Sequence, residues 1–346
     1  MVTIVDVARA AGVSTSTVSR VLDERLPRSR SAAAERVRQA AAELGYVRDP
    51  LASGLRRAGT STIGVIVPRL TDTVTAMFYE EVAAAAAARG LFAVVATTED
   101  RPDAERVAVE SLLRRRVDGL VLTTARSQTP PAEAPEHPVP HVLALRTDGS
   151  SASSIGDDRL GAHLATRHLL DLGHRRIGLV GGPGYASSAQ NRRAGYVEAL
   201  TEANLPVDES LIVGDSFSMA AGETAGRALL TRTDRPSAIF AVNDNTAIGV
   251  MAAAHALGLR IPEDLSLVGY NDIPVVSRLP VALSTVRVPF RQIAEGALQL
   301  LLDDTDDSPP RTLIATPTLI SRRSTALLQT ERNTERADPD SGPAVA

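Results

Sequence analysis

The chain has 346 residues, a formal net charge of −4, 44% hydrophobic residues and no cysteine. The missing cysteine excludes disulfides, thiolate metal sites and a cysteine nucleophile. No apolar run approaches the length that spans a bilayer, and the N-terminus has no basic-then-apolar leader. A cytoplasmic protein without a membrane partner is therefore expected. Charge is unevenly spread, because residues 1–60 hold ten arginines against six acids while the remainder is acidic. A basic head on an acidic body suits a phosphate-contacting module joined to something else.

The first residues predict two short helices around a tight turn. Thr3 and Asp6 are placed to cap the first helix, and Ile4, Val7, Ala8 and Ala11 give it one apolar face. Gly12 supplies the turn and Ser14 the cap of the second helix. On that helix Val18, Val21 and Leu22 share one arc, while Thr15, Ser16, Ser19 and Arg20 share the opposite one. Short hydroxyls and one guanidinium suit the base edges and phosphates of a DNA major groove. A third amphipathic helix is expected near Ser31 to Leu44, with Ala33, Val37, Ala40, Ala41 and Leu44 inward.

Asp49 to Arg57 reads as a short helix, capped by Asp49 with Pro50 at its first position. It is too short to stand alone, and Gly54 weakens it by about 1 kcal/mol. The same segment also reads as a flexible linker.

From Thr62 apolar strands alternate with helical segments. Strands are expected at 63–67, 92–96, 119–122, 142–145, 177–180, 238–242 and 265–269, with helices over 81–88 and 105–116 between them. The Pro-rich stretch 129–140 reads as a surface loop, and residues after about 329 as a disordered tail. Repeated βα alternation predicts an α/β fold of doubly wound parallel sheets, with ligands beyond the strand C-termini. No G-x-S-x-G elbow, H-E-x-x-H pair, Walker loop or complete dinucleotide fingerprint is present, so no enzyme activity, metal or cofactor is expected.

Asp6-Val7-Ala8, Ala11-Gly12-Val13-Ser14 and Thr17-Val18-Ser19-Arg20-Val21-Leu22, with Leu44-Gly45-Tyr46, together resemble the lactose-repressor (LacI/GalR) family. The resemblance implies a helix-turn-helix head over 1–47, a hinge and linker over 48–61, and a two-lobed, periplasmic-binding-protein-like effector domain over 62–328. It implies three crossings between lobes, with a final strand near Leu313 to Thr318 returning to the first. It further implies that Leu55 wedges into the minor groove, beside Arg56, and that a homodimer reads palindromic operator DNA under the control of a small-molecule effector. Sugar-binding positions fall on Arg192, Asn243 and Asn271, and an aromatic platform falls near Phe217, one residue out of register. His174 fits a structural turn, and Asp244 fits either a ligand corner or a helix cap.

Departures from the family pattern carry their own expectation. Asn271, Arg69 and Arg146 stand where the family favours Asp. If all three face the cleft, it is markedly positive and suits a sugar acid or another anionic effector. A plain sugar receptor and a Rossmann-type enzyme are the other readings; neither accounts for the basic head.

Overall fold

The computed structural model describes residues 2, 4–22, 29, 31–46, 59–127, 139–303 and 310–328. The expected cap Thr3, the hinge with Leu55 and Arg56, most of the 129–140 loop and the tail after 328 lie outside them. Contacts divide the chain into two units, Met1–Ser61 and Thr62–Ala346.

The first unit packs α1 (Ile4–Ala11), α2 (Thr15–Val21) and α3 (Ala32–Glu43) around Val7, Ala8, Ala11, Val18, Val37, Ala40 and Ala41. Gly12 makes the turn at φ +65°, a conformation that costs a residue with a Cβ about 1 kcal/mol or more. Ser14 leaves the turn in extended conformation, and its Oγ accepts the amide of Thr17. Ser31 does the same for α3, accepting from Ala34. Arg36 Nε ties α3 to α1 by donating to the Ala11 carbonyl at 3.3 Å. Leu44 departs from its expected inward place. It is the C-cap rather than a turn of the helix, stays exposed, and leaves Tyr46 to cover the core.

The second unit holds two six-stranded sheets. The first is formed by β1 (Thr62–Val67), β2 (Phe92–Thr97), β3 (Gly119–Leu122), β4 (His141–Ala144), β5 (Ser153–Gly156) and β11 (Thr312–Ala315), in the order β11-β5-β4-β3-β1-β2. The second is formed by β6 (Ile177–Val180), β7 (Ile212–Val213), β8 (Ala238–Ala241), β9 (Ser266–Asn271), β10 (Ser284–Arg287) and β12 (Thr318–Ile320), in the order β12-β10-β9-β8-β6-β7. Every pairing is parallel except β10 with β12. The helices are α4 (Thr73–Ala87), α5 (Pro102–Arg114), α6 (Asp158–Asp171), α7 (Ser187–Glu202), α8 (Met219–Leu230), α9 (Asp244–Ala256) and α10 (Phe290–Asp303).

The chain crosses between lobes after β5, after β10 and after β11. β11 returns to the first lobe as expected. β12, only three residues long, then rejoins the second. Strands β5, β7, β10 and β12 carry too few apolar residues to announce themselves, which is why none was foreseen. α4 begins eight residues before Glu81 because Asp72 caps it, its carboxylate accepting the Val74 amide. Strand cores are near-continuous apolar runs, as in β1, where five of six residues are buried. Such runs are typical of parallel sheets covered on both faces.

His174 is structural. Its Nδ1 meets Ser237 Oγ at 2.9 Å, while its Nε2 meets Ser266 Oγ and the Ala326 carbonyl. Burial pushes its pKa down, favouring the neutral ring, whose Nε2–H faces the Ala326 carbonyl.

Candidate DNA-reading helix and effector cleft

On α2, Val18 is fully buried while Ser16 and Arg20 are exposed and Thr15 and Ser19 half-exposed. Packing of the apolar arc therefore turns the polar arc outward. Ser16 Oγ shares a 2.8 Å bond with the cap Ser14, whereas Arg20 has no protein partner among the described residues. An exposed guanidinium beside short hydroxyls, on the second helix of a helix-turn-helix, is the equipment for groove reading.

In the second unit, C-terminal strand ends from both lobes meet around a cavity of about 430 Å³. The same strand order in each sheet puts its switch point there, where loops diverge and leave a crevice. Arg69, Arg146, Arg192, Phe217, Asn243 and Asn271 all line it. Several strand exits are bent sharply: Glu99, Asp100, Leu145 and Asn271 have positive φ without being glycine. Such conformations persist only where the surrounding structure imposes them, and they concentrate at ligand sites.

Their chemistry differs from the expected positive cleft. Arg146 donates through Nη1 to both carboxylate oxygens of Asp100, at 3.0 and 3.1 Å, with both side chains largely buried. Arg192 donates from Nε to Asp158 Oδ1 at 2.8 Å and from Nη1 to the Val242 carbonyl at 2.7 Å. Its guanidinium also lies 3.8 Å from the Tyr270 ring centre. Asp72 and Glu99 add two more carboxylates to the lining. Three arginines thus face four acids, and only Arg69, at the exposed rim, lacks a short ion pair among the described residues. This compensation weighs against the anionic effector that unpaired arginines would suit, because an incoming carboxylate meets Arg146 and Arg192 already paired.

The two asparagines divide. Asn243 caps α9, its Oδ1 accepting from Thr246 at 2.8 Å, and its Nδ2 donates to the Phe217 carbonyl at 3.0 Å. Only one N–H remains for a ligand. Asn271 makes no side-chain hydrogen bond among the described residues, so its amide is uncommitted. Asp244 is neither cap nor ligand corner. It is the first residue of α9, fully buried, and accepts from Thr285 Oγ1 at 2.6 Å and the Ile273 amide at 2.8 Å. Burial dominates those bonds and raises its pKa to about 7. Phe217 is half-buried, packs on Ala186, Ala189 and Val242, and stands 5.5 Å from the Arg146 guanidinium.

Sequence reasoning missed the groups that hold the lobes together. Tyr185, from the second lobe, donates its hydroxyl to Asp100 at 2.9 Å and lies under Arg126 at 3.8 Å. Its carbonyl accepts from both the amide and the hydroxyl of Ser127. Thr147 N donates to Ser187 Oγ at 2.9 Å, and Asn245 Nδ2 donates to Asp72 Oδ1 at 3.2 Å. These contacts join strand ends far apart in the chain. No local spacing marks them.

Residues 3–49 match the family described as bacterial regulatory proteins, lacI family, and residues 166–325 match a periplasmic binding protein-like domain. The ribose operon repressor of Haemophilus influenzae is 34% identical over 333 residues, covering 94% of this chain and 98% of that repressor. The chain belongs to the lacI family of bacterial regulatory proteins. The family's lac repressor dimer, bound to operator and the anti-inducer ONPF, is similar at TM-score 0.82 and 29% identity, over 94% of this chain and 99% of that one. A lacI-family regulator from Enterococcus faecium with bound ribose is similar at TM-score 0.68 and 26% identity, over 78% of this chain and 100% of that one. As a lacI-family member the protein is a DNA-binding transcriptional regulator, not an enzyme. Its head and its two-lobed parallel-sheet domain are the family fold. No helix among the described residues is long and apolar enough to cross a membrane.

Proposed function

We propose that the protein is a repressor whose grip on operator DNA is set by an uncharged, hydroxyl-rich sugar bound between its lobes. The observation that carries this reading is the charge-compensated polar cavity between two sets of strand ends, with Phe217 on its wall. Polar groups already paired offer directed hydrogen bonds without a net field, which suits hydroxyls better than phosphate or carboxylate. Arg192, Asn271, Arg69 and the last N–H of Asn243 bind the ligand, Arg146 supports the wall through Asp100, and Phe217 covers a ring face. Relatives named for ribose support a pentose as the first compound to try.

On DNA, Thr15, Ser16, Ser19 and Arg20 enter the major groove. Leu55 and Arg56 of the hinge reach the minor groove at the dyad, where an apolar wedge kinks the duplex. A homodimer acting in the cytoplasm follows from this use, since two heads on one palindrome give specificity that one short helix lacks. Ligand binding closes the lobes and releases the operator.

Genomic fragments captured by the purified full chain at physiological salt test this directly. Enrichment of an inverted repeat, lost on adding D-ribose or another neutral sugar, is the expected result. Capture without sequence preference overturns the repressor reading, and release only by sugar acids or sugar phosphates overturns the neutral effector.

A further inference from the structure

We propose that Asn245 reads a hydroxyl of the effector and ties that recognition to lobe closure through Asp72. The proposal rests on the sugar-binding reading of the cleft and adds a residue and a coupling to it. Asn245 is the second residue of α9 in the second lobe, 8% exposed, and it lines the cavity. Its Nδ2 reaches across the cleft to Asp72 Oδ1, the same oxygen that caps α4 in the first lobe. Asp72 Oδ1 accepts from this N–H and from the Val74 amide, which leaves the Asn245 oxygen turned away from the carboxyl. That oxygen is buried with no hydrogen-bond partner among the described residues.

A buried acceptor without a donor is costly, and two events relieve it. The lobes separate and water enters, or a ligand donates an O–H while they stay closed. The second contact gains more in the closed state, where it displaces no water from the oxygen, and such a difference between states is what shifts an equilibrium. Neighbouring Asn243 does not share this role, since its oxygen is consumed by the helix cap. A ligand oxygen without a proton, whether an ether or an anionic oxygen, would set lone pair against lone pair at Asn245. The residue therefore selects a hydroxyl at one ring position.

Calorimetry on the full chain with D-ribose, D-glucose, D-galactose and their monodeoxy analogues tests the assignment, comparing wild type with Asn245→Ala. One monodeoxy compound should bind wild type at least about tenfold more weakly than its parent, and bind Asn245→Ala as well as the parent does. Equal losses in both proteins for every analogue overturn the role of Asn245 while leaving the sugar reading intact. Failure of all three parent sugars to bind wild type overturns both. Asn245→Ser serves the same comparison if the alanine variant does not fold.

Closure has its own measurement. The chain has no cysteine, so Glu110→Cys in α5 and Glu263→Cys before β9, both exposed, take a dye pair across the lobes. The sugar should shift wild type toward the shorter distance, and the closing constant should shift about tenfold less with Asn245→Ala. An equal shift in the two proteins overturns the coupling.

Discussion

Arg192 and Asp158 form a buried ion pair at 2.8 Å, each side chain less than a tenth exposed, at the junction of α6 and α7. Burial alone raises the Asp158 carboxyl, and Arg192 opposes it. The arginine we propose as a ligand group is therefore also the counter-charge of a buried acid. Removing one member of such a pair strands the other, typically at about 3–5 kcal/mol. Arg192→Ala should lower unfolding free energy by that order and abolish sugar binding. Arg192→Met combined with Asp158→Asn should recover most of the stability and none of the affinity. Urea unfolding beside calorimetry separates the two effects; an Arg192→Ala protein as stable as wild type would contradict the pairing.

Tyr185 offers a cleaner probe of closure because Asp100 keeps Arg146 when the hydroxyl is removed. A hydrogen bond to a charged group contributes about 1.5–3 kcal/mol at most, less where the acceptor retains another partner. Tyr185→Phe should therefore weaken sugar binding by about tenfold with little change in melting temperature. Unchanged affinity would mean that this contact is equally made in the open form.

In the head, Arg20 and Ser14 separate contact from scaffold. Arg20→Ala should weaken operator binding without affecting folding, as the side chain has no protein partner among the described residues. A phosphate contact would also reduce the salt slope by about one, and a base contact would relax specificity at one position. Ser14→Ala removes the acceptor of the Thr17 amide and should cost about 1 kcal/mol of head stability. Binding isotherms at several salt concentrations and head-domain melting curves distinguish the pair.

The parts that were legible in the sequence are those written in contiguous residues. The helix-turn-helix shows itself through Gly12, Ser14 and the spacing of Val7, Ala11 and Val18, and the main strands through buried apolar runs. Through the family resemblance Asn243 and Asn271 could be placed at strand ends and Arg192 on a helix, and all three line one cavity. What stayed hidden depends on tertiary pairing. Asp100 and Asp158 look like ordinary surface acids until the fold brings Arg146 and Arg192 against them. That is why arginine positions alone suggested a positive cleft. Short strands such as β7 and β12 are specified by neighbours rather than by their own residues.

Asp244 makes the protein's stability depend on pH in an unusual direction for a carboxylate. Its pKa rises from 3.8 to about 7 in the fold, chiefly through burial. Between about pH 4 and pH 7 the folded protein keeps a proton that the unfolded chain has released. Stability therefore falls as pH rises through that window and levels off above it. Asp158 and Asp72, also raised by burial, tilt the curve the same way. Asp244→Asn keeps the size of the side chain and removes its titration, at a constant cost for one lost acceptor, since Thr285 and the Ile273 amide both donate to this residue. Relative to wild type, the variant should gain stability steadily from pH 4.5 to pH 7. Urea midpoints measured at unit intervals should converge or cross; two parallel curves would show that Asp244 is ionised throughout, held by those two donors.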